Sequence, residues 1–331
     1  MPEDTKTTQE RADLLQKQER ESEDNLCPKC GSREVIHYGS RKTKTGQTTI
    51  FLCKDCQAHF TLRPIKHTLY DTATILRTMQ AYNSGHSFID TSKMMRKRFK
   101  VKIPPTTIYN WTQRYVKTFP FIQLRKRYVI DPADLIVTRR FQHKQVYDMR
   151  LHRLKLNIAA MTFPTLPRYL FYLMKADLGG TFDSNTRCSD FRYELPKVNM
   201  RTIPKNCATD LTGLAETLAN SKKRRHDTVE EFFLINDATT FATEVPVYLT
   251  KEEAKRFGLR ISEPLTGHID MLQCRNGRIH IMDYKPDQDL KNVSGQLNLY
   301  AFCLTCRTGI PLARTTCAAF NKDAYAEFLP R

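Results

Sequence analysis

Two carboxylates and an ammonium group lie at matched spacings on either side of the dipeptide Asn276-Gly277. Asp270 precedes the dipeptide, and Asp283 and Lys285 follow it. Paired carboxylates can hold divalent metal ions, which make water nucleophilic and neutralise charge on a phosphoryl oxygen. A neighbouring lysine would orient that water or stabilise the charged transition state. If the three side chains converge, the chemistry open to them is metal-dependent hydrolysis of a phosphodiester.

A β-hairpin would bring these side chains together. An Asn-Gly dipeptide between two runs of β-type residues is the strongest short-range signal for a two-residue hairpin turn. Counting outward from that turn predicts the pairs Arg275/Arg278, Cys274/Ile279, Leu272/Ile281 and Asp270/Asp283. Directly opposed side chains have Cβ atoms about 4.5–5.5 Å apart. Lys285 follows Asp283 by two positions, so it is predicted to project from the same face.

Two flanking segments carry further polar side chains. The segment "FATEVPVYL" alternates as a strand and presents Glu244 on one side. The segment "DLKNVSGQLNLYAF" is predicted to form a helix capped by Ser294 or Asn292. Gln296 and Tyr300 are four positions apart in that helix, and therefore lie on one face.

Along the chain the four elements are a strand with Glu, a strand with Gly-x-x-Asp, a strand with Asp-x-Lys and a helix with Gln-x-x-x-Tyr. This order resembles that of RecB-type nucleases of the PD-(D/E)XK superfamily. The resemblance covers about residues 226–330 and implies a C-terminal α/β, restriction-endonuclease-like domain with helical additions. It implies catalysis with Mg²⁺ or Mn²⁺, because hard oxygen ligands suit these ions. The roles it implies are metal ligands at Asp270, Asp283 and the Tyr284 carbonyl, catalysis by Lys285, a further ligand or water-holder at Glu244, and support of DNA or the active-site frame by Gln296 and Tyr300.

The first motif of that family often contributes a metal-binding histidine on a helix. His226 is the candidate, on a predicted helix with Val229 and Phe233 as its buried side. Glu230 is the fallback ligand. His143 and His152 compete for the same role.

Two Cys-x-x-Cys pairs near the N-terminus predict a second kind of metal site. Cys27 and Cys30 form one pair and Cys53 and Cys56 the other, so four thiolates could close a tetrahedral zinc site. The segments "EVIHY" and "TTIFL" between the pairs are typical strands. Residues 26–64 are therefore predicted to form a zinc ribbon whose structural zinc is needed for folding. Gln57 stands where the second knuckle usually carries glycine.

The remaining cysteines raise the question of an iron–sulfur cluster, which some RecB-type nucleases hold. Cys303 and Cys306 form a further Cys-x-x-Cys, and the spare thiols are those of Cys188, Cys207, Cys274 and Cys317. Cys303 and Cys306 fall within the predicted helix of Gln296, and Cys317 lies in a predicted core strand. We therefore do not expect a cluster, because free cysteine commonly behaves as a small buried apolar residue.

Residues 65–120 predict three short helices. Ser87 is a good N-cap for the second helix, and Pro104-Pro105 opens the third, whose apolar face comprises Ile108, Trp111 and Tyr115. This arrangement favours a helix-turn-helix, an all-α DNA-binding module, over a plain three-helix bundle. The predicted DNA-contacting residues of the third helix are Thr106, Thr107, Asn110, Gln113 and Arg114.

The ribbon followed by "YNSGHSFIDTSKMMRKRFKVKIPPTTIYNWTQRY" resembles the DNA-binding front end of prokaryotic, notably archaeal, insertion-sequence transposases. The resemblance covers about the first third of the chain. It implies DNA as the partner, a prokaryotic or archaeal source, and a link to mobile elements or DNA repair.

Composition agrees with a polyanionic partner. The chain has 53 Lys plus Arg against 35 Asp plus Glu, a formal net charge of +18. It contains no run of about 18 apolar residues, so no membrane association is expected. The polar tail 1–25 lacks the apolar core of a signal peptide, and ten cysteines without one favour a reducing compartment. We expect a cytoplasmic, nucleoid-associated protein.

The sequence thus predicts a multidomain protein with boundaries at 1–25, 26–64, 65–120 and 121–331. Within the last domain, "RRFQHKQVYDMRLHRLKLNIAAM" is interpreted as a long basic helix and "LPRYLFYLMKA" as another. The expected function is a DNA-binding, divalent-metal-dependent nuclease targeted by its N-terminal modules. The alternatives are a non-enzymatic DNA-binding regulator and a transposase-like protein, with a relic catalytic domain.

Overall fold

The computed structural model describes residues 27, 29–43, 46–61, 69–143, 145–177, 182, 186–191, 198–203, 206–219, 221–286 and 290–331. The predicted tail 1–25 lies outside these residues. The chain divides into two compact units, residues 1–75 and 76–331. The protein is multidomain, with a small N-terminal β unit and a large unit built on a mixed sheet with helices.

The first unit contains a three-stranded antiparallel sheet. Strand β1 (Val35–Thr43) pairs with β2 (Gly46–Cys53), and β2 pairs with β3 (His59–Phe60). Val35 and Phe51 are buried together with Cys27 and Cys53. So small an apolar cluster cannot stabilise a fold alone, which is why the thiols matter. Both predicted strands are confirmed.

Three helices follow the ribbon, as predicted. They are α1 (Thr72–Asn83), α2 (Phe88–Phe99) and α3 (Pro105–Arg114). Ser87 caps α2 by accepting a hydrogen bond from the Asp90 N–H, and Lys100 closes it in the left-handed region at φ 58°. Ile108 and Trp111 are buried on α3.

The second unit is organised around a mixed sheet. Its strand order is β4-β5-β8-β9-β10-β11-β12-β7, with β6 paired to the start of β9. The β10–β11 and β6–β9 pairs are parallel, and the other described pairs are antiparallel. The strands are β4 (Ile136–His143), β5 (Gln145–His152), β6 (Thr186–Arg187), β7 (Arg201–Ile203), β8 (Thr240–Leu249), β9 (Leu265–Arg275), β10 (Arg278–Tyr284), β11 (Thr315–Phe320) and β12 (Tyr325–Phe328).

Helices cover this sheet and connect its strands. They are α4 (Phe121–Arg125), α5 (Pro132–Leu135), α6 (Arg153–Ala160), α7 (Leu166–Leu173), α8 (Cys207–Glu216), α9 (Arg225–Asn236), α10 (Lys251–Lys255) and α11 (Ser294–Thr308). Helix α11 packs on β8, β9, β10 and β11, whereas α9 packs on β5 and β8. In the part of the chain that the structure describes, no helix is long and apolar enough to cross a membrane.

The prediction of a long basic helix over residues 139–161 is wrong. Ile136–His143 and Gln145–His152 form the antiparallel β4–β5 pair, and only Arg153–Ala160 are described as helical. Met149 and Leu151 alternate as buried residues along β5, and β5 also pairs with β8 through Leu151 and Ala242. Pairing with a strand about ninety positions away therefore overrides the local helical pattern. The predicted helix in "LPRYLFYLMKA" is confirmed as α7.

Ser294 is not the cap of α11. The helix begins at Ser294, and the preceding residue, Val293, makes no side-chain capping hydrogen bond. The side chain of Asn292 lies outside the described residues. The helix itself is confirmed, and it extends through Cys303 and Cys306 to Thr308.

The three-helix segment is attached to α9 by polar and aromatic contacts. The buried amide of Asn83, at the end of α1, donates a 2.9 Å hydrogen bond to Asn236 Oδ1, at the end of α9. The rings of Phe119 and Phe232 meet at 6.2 Å. Residues 76–120 therefore belong to the same compact unit as the mixed sheet.

Candidate metal centres

The four ribbon cysteines form one cluster. The Sγ atoms of Cys27 and Cys56 are 3.5 Å apart, and those of Cys30 and Cys53 are 3.6 Å apart. All four sulfurs lie within 4.8 Å of one another. A tetrahedral zinc with Zn–S bonds of about 2.3 Å separates its sulfurs by about 3.8 Å. The cluster therefore fits a structural Zn²⁺.

Gln57 shows why glycine is usual after the second knuckle. Its φ is 56°, in the left-handed region that side chains with a Cβ rarely adopt. Its amide Nε2 donates a 2.7 Å hydrogen bond to the Lys54 carbonyl. That bond ties the side chain back to the knuckle, and the four thiols keep their geometry despite the substitution.

The hairpin around Asn276-Gly277 has the predicted register. Arg278 faces Arg275, Ile279 faces Cys274 and Ile281 faces Leu272. The turn residues have φ of 52° and 67°, as a type I′ turn requires. The ladder runs to Met282 and Met271, so Asp283 and Asp270 occupy the next position.

Asp283 and Lys285 form a close ion pair at the end of β10. Lys285 Nζ lies 3.0 Å from Asp283 Oδ2, and the Asp283 side chain is only 1% exposed. Burial raises the pKa of Asp283 to about 7, and the Asp270 charge adds to that shift. Burial lowers the pKa of Lys285, but Asp283 and Asp270 reverse this and leave it raised. Lys285 therefore remains a charged donor at neutral pH.

A second group of ligands converges on Asp270 from helix α9. His226 Nδ1 lies 3.9 Å from Asp270 Oδ2 and 3.9 Å from Glu230 Oε1. The candidate ligand atoms of His226, Glu230 and Asp270 all lie within 4.8 Å of one another. Asp270 Oδ2 also accepts a 2.9 Å hydrogen bond from the Tyr284 N–H. The structure thus brings both first-motif candidates, His226 and Glu230, to the predicted ligand Asp270.

The environment of Glu230 fits a cation. Its side chain is fully buried, and neither carboxylate oxygen has a hydrogen-bond partner among the residues that the structure describes. Burial, and then Asp270, raises the pKa of Glu230 well above its usual range. A buried carboxylate without donors is costly unless it is protonated or binds a cation. The donor set of carboxylates and one imidazole suits a divalent ion such as Mg²⁺ or Mn²⁺.

The competing histidines lie apart from this group or outside the description. His152 is buried against the Phe121 ring at 4.7 Å, and its Nδ1 accepts a hydrogen bond from the Lys155 N–H. Burial lowers the pKa of His152 to about 2, so it is a neutral core residue. The side chain of His143 lies outside the described residues.

Glu244 occupies the position in β8 that faces Asp270. The neighbouring pairs are Thr243 with Met271 and Val245 with Ile269. Glu244 has a φ of 50°, a conformation that costs about 1–3 kcal/mol for a non-glycine residue. Burial raises the pKa of Glu244 well above its usual range, and Glu230 and Asp270 raise it further.

Gln296 and Tyr300 meet on one face of α11, as predicted. Gln296 Nε2 donates a 2.7 Å hydrogen bond to the Tyr300 hydroxyl. Tyr300 packs over Gly267, where any Cβ would collide with its ring. Burial, Asp283 and Asp270 contribute to the raised pKa of Tyr300, which places it beside the carboxylates.

Tyr284 has a structural role that the sequence did not indicate. Its hydroxyl donates a 2.6 Å hydrogen bond to Glu216 of α8, and its ring centroid lies 4.9 Å from that of His226. Because its N–H also binds Asp270, this one residue contacts two members of the ligand group. Its position directly after Asp283 is the signal that could have suggested such a role.

The predicted DNA-contacting side chains of α3 are largely exposed. Thr106, Asn110, Gln113 and Arg114 are exposed and Thr107 is half-buried. Gln113 Oε1 accepts a 2.9 Å hydrogen bond from Lys126 Nζ, so part of this side chain is already engaged.

A basic groove on α2 was not predicted from the sequence. It is open, has a volume of about 490 Å³ and is lined by Lys93, Arg96, Lys97 and Lys100. The run of basic residues in "KMMRKRFK" could have indicated it.

Three of the other cysteines, Cys188, Cys303 and Cys317, are buried in the core of the second unit, whereas Cys207 is exposed. Cys303 and Cys317 are fully buried, and Cys317 Sγ donates to the Leu297 carbonyl at 3.3 Å. Cys188 lies beside Cys303, and burial raises the pKa of Cys303 well above its usual range. Cys274 and Cys306 are partly exposed.

Comparison with known families identifies the N-terminal module. Residues 25–61 match the zinc ribbon of transcription factor S-II (TFIIS). The match includes all four clustered cysteines, so the family likeness and the sulfur geometry support a structural zinc together. No curated protein matches this chain.

Proposed function

We propose that this protein is a nucleic-acid-binding, divalent-metal-dependent nuclease. The observation that carries the proposal is the group of His226, Glu230 and Asp270 with the ion pair of Asp283 and Lys285 next to it. A fully buried carboxylate without donors, beside a second carboxylate and an imidazole, is the arrangement that a bound cation stabilises. These side chains belong to three separate elements, α9, β9 and β10.

The ligands of the proposed ion are His226, Glu230, Asp270 and Asp283, with Glu244 as a further ligand or water-holder. When bound, Mg²⁺ or Mn²⁺ would polarise a phosphoryl oxygen and lower the pKa of a bound water. Asp283 fixes the Lys285 ammonium at 3.0 Å, which orients it beside the carboxylates. Lys285 would then donate to the attacking water or to the negatively charged transition state.

The surrounding frame limits the motion of these groups. Tyr284 fixes Asp270 through its N–H and contacts His226 with its ring. Tyr300 and Gln296 close the opposite side over Gly267. The antiparallel β8-β9-β10 sheet with parallel β11, covered by α9 and α11, supports the proposal of a restriction-endonuclease-like fold.

Nucleic-acid binding is supported by three separate features. The TFIIS-type ribbon suggests it, and the net charge of +18 favours a polyanion. In the second unit, exposed polar side chains of α3 and the basic groove of α2 follow one another in the chain. We propose that α1, α2 and α3 form a helix-turn-helix in which α3 contacts bases and the groove contacts phosphates.

The test is cleavage of linear, circular, single-stranded and branched DNA by the full-length chain with Mg²⁺ or Mn²⁺. Asp283→Ala and Lys285→Ala should each lower the cleavage rate by about a thousandfold or more, because each removes a group that acts in the transition state. Both variants should keep the DNA affinity of wild type, measured by fluorescence anisotropy.

The matched control is Asp323→Asn, which changes an exposed carboxylate in the turn between β11 and β12. It should cleave at the wild-type rate. Full cleavage by Asp283→Ala at matched folding would reject the carboxylates as the active site. Absence of cleavage by wild type with either ion would favour a non-enzymatic DNA-binding regulator.

A further inference from the structure

A cation outside the predicted site lies on β6, beside the strand that carries Asp270. Arg187 is half-buried in β6, which pairs with Leu265 and Thr266 at the start of β9. Within the described residues, Arg187 forms no ion pair with a carboxylate. A guanidinium has five N–H donors, so a partly buried one without a carboxylate partner has capacity to bind an anion.

One aromatic residue holds this guanidinium, and a second supports the first. Arg187 Nη2 donates a 2.7 Å hydrogen bond to the Tyr147 hydroxyl, and its Cζ lies 5.9 Å from the centroid of the Tyr147 ring. The Tyr147 ring stacks on His268 at 3.8 Å with an interplanar angle of 11°. This support comes from β5 and β9, so the arginine is positioned by the sheet itself.

The same strands connect this support to the proposed metal ligands. His268 precedes Asp270 by two residues in β9, a separation of about 7 Å along a strand. Pro246 of β8 faces His268, two residues beyond Glu244. Burial raises the pKa of the Tyr147 hydroxyl and Arg187 lowers it, while Glu244 and then Asp270 raise it. The hydroxyl thus experiences both the arginine and the carboxylates.

The proposed metal site and Arg187 could each neutralise one phosphate of a nucleic-acid strand, at neighbouring positions along the strand. The proposed ion and Lys285 would neutralise the phosphate that is cleaved. An arginine one step further along the sheet would neutralise the next phosphate, and arginine suits this task because its planar donors match phosphate oxygens.

We propose that Arg187, held by Tyr147, binds the phosphate adjacent to the one being cleaved. This inference rests on the proposed nuclease function and adds a substrate contact to it. Because the contact exists both before and during the reaction, it contributes mainly to substrate binding, and its loss raises KM more than it lowers kcat.

The experiment compares Arg187→Ala, Arg187→Lys and Tyr147→Phe with wild type in Mn²⁺-dependent cleavage of a short single-stranded oligonucleotide. Arg187→Ala should raise KM roughly tenfold, the scale of one charge-assisted phosphate contact. Arg187→Lys should lose less, since it keeps the charge, and Tyr147→Phe should show the smallest rise in KM. The Mn²⁺ affinity of all three variants should equal that of wild type.

Arg201→Ala is the matched control, because Arg201 is an exposed arginine on β7, the strand at the far end of the sheet order. It should leave KM unchanged. An unchanged KM in both Arg187 variants, or a loss of Mn²⁺ affinity in either, would overturn the inference, the latter because Arg187 would then support the metal site instead.

A second readout separates this inference from the proposed function. Mn²⁺ bound beside Asp270 should broaden the ³¹P resonance of added thymidine 5′-monophosphate, and Arg187→Ala should weaken the nucleotide affinity derived from that broadening. If wild type does not cleave any DNA, the nuclease proposal fails, yet this measurement still decides whether Arg187 binds phosphate. Equal affinity in wild type and Arg187→Ala would overturn the inference.

Discussion

The ribbon and the carboxylate centre gather candidate metal-binding side chains in opposite ways. The ribbon takes its four thiols from two short knuckles, each contained within four residues of sequence, and has few other buried side chains. The carboxylate centre takes its side chains from α9, β8, β9 and β10, and its neighbours form a large apolar core. A local site of the first kind needs its ion in order to fold, whereas a site of the second kind is assembled by the fold before any ion binds.

The largest effect expected from this difference is on the ribbon. Cys53→Ser should remove zinc and unfold the ribbon, because structural zinc contributes about 10–16 kcal/mol to such modules. The second unit should keep its stability, because it is a separate compact unit with its own apolar core. Trp111, the single tryptophan of the chain, belongs to this unit and reports on its unfolding. Elemental analysis would measure the zinc, and tryptophan fluorescence in urea would measure the unfolding of the second unit.

Wild type purified without chelator should contain one zinc per chain. A zinc-free preparation would contradict the assignment of the ribbon. If the Cys53→Ser protein has lost its zinc and its tryptophan transition also moves to lower urea, the stability of the second unit depends on the ribbon.

The next effect concerns pH and the buried Asp283. Its pKa rises from 3.8 to about 7 on folding, mainly through burial, so the folded state binds this proton more tightly than the unfolded chain does. Without Mg²⁺ or Mn²⁺, this group therefore lowers the free energy of unfolding as the pH rises from about 4 to about 7, by up to about 4 kcal/mol. Asp283→Asn should remove that contribution.

Urea unfolding followed by Trp111 fluorescence across this pH range gives the measurement, because Trp111 belongs to the second unit and not to the ribbon. The difference in stability between Asp283→Asn and wild type should grow with pH. If the free energy of unfolding has the same pH dependence in the two proteins, folding does not raise the pKa of Asp283.

The smallest expected effect tests whether the second unit, unlike the ribbon, folds without its proposed ion. Mn²⁺ at about a hundred times its dissociation constant should stabilise the second unit of wild type by about 2.7 kcal/mol. Glu230→Gln should fold as well as wild type without the ion, because burial disfavours a charge at this position and the amide has nearly the shape of the carboxyl group. It should lose this stabilisation. The measurement is the urea midpoint with and without Mn²⁺.

Glu231→Gln is the matched control, because Glu231 is the exposed neighbour of Glu230 on the same helix. It should respond to Mn²⁺ as wild type does. Equal stabilisation of Glu230→Gln and wild type by Mn²⁺ would show that the ion binds elsewhere. The contrast between the ribbon and the carboxylate centre would then not hold.

Features set by neighbouring residues could be predicted from the sequence alone. The Cys-x-x-Cys pairs determined the ribbon, because two knuckles leave little choice of geometry for four thiolates. Asn276-Gly277 determined the hairpin register, because both residues tolerate the positive φ of a type I′ turn. The register in turn placed Asp283 opposite Asp270, and Lys285 beside Asp283.

Only the tertiary structure decided how distant segments meet. Residues 139–143 and 145–152 have a basic, helix-like pattern, yet they lie in strands because β5 pairs with β8. His226 and Glu230 meet Asp270 because α9 packs on β5 and β8, and no spacing between them records that contact. Arg187 reaches Tyr147 by pairing of β6 with β9. Long-range packing contributes most of the free energy at these places, so the local pattern leaves the outcome open until the sheet has formed.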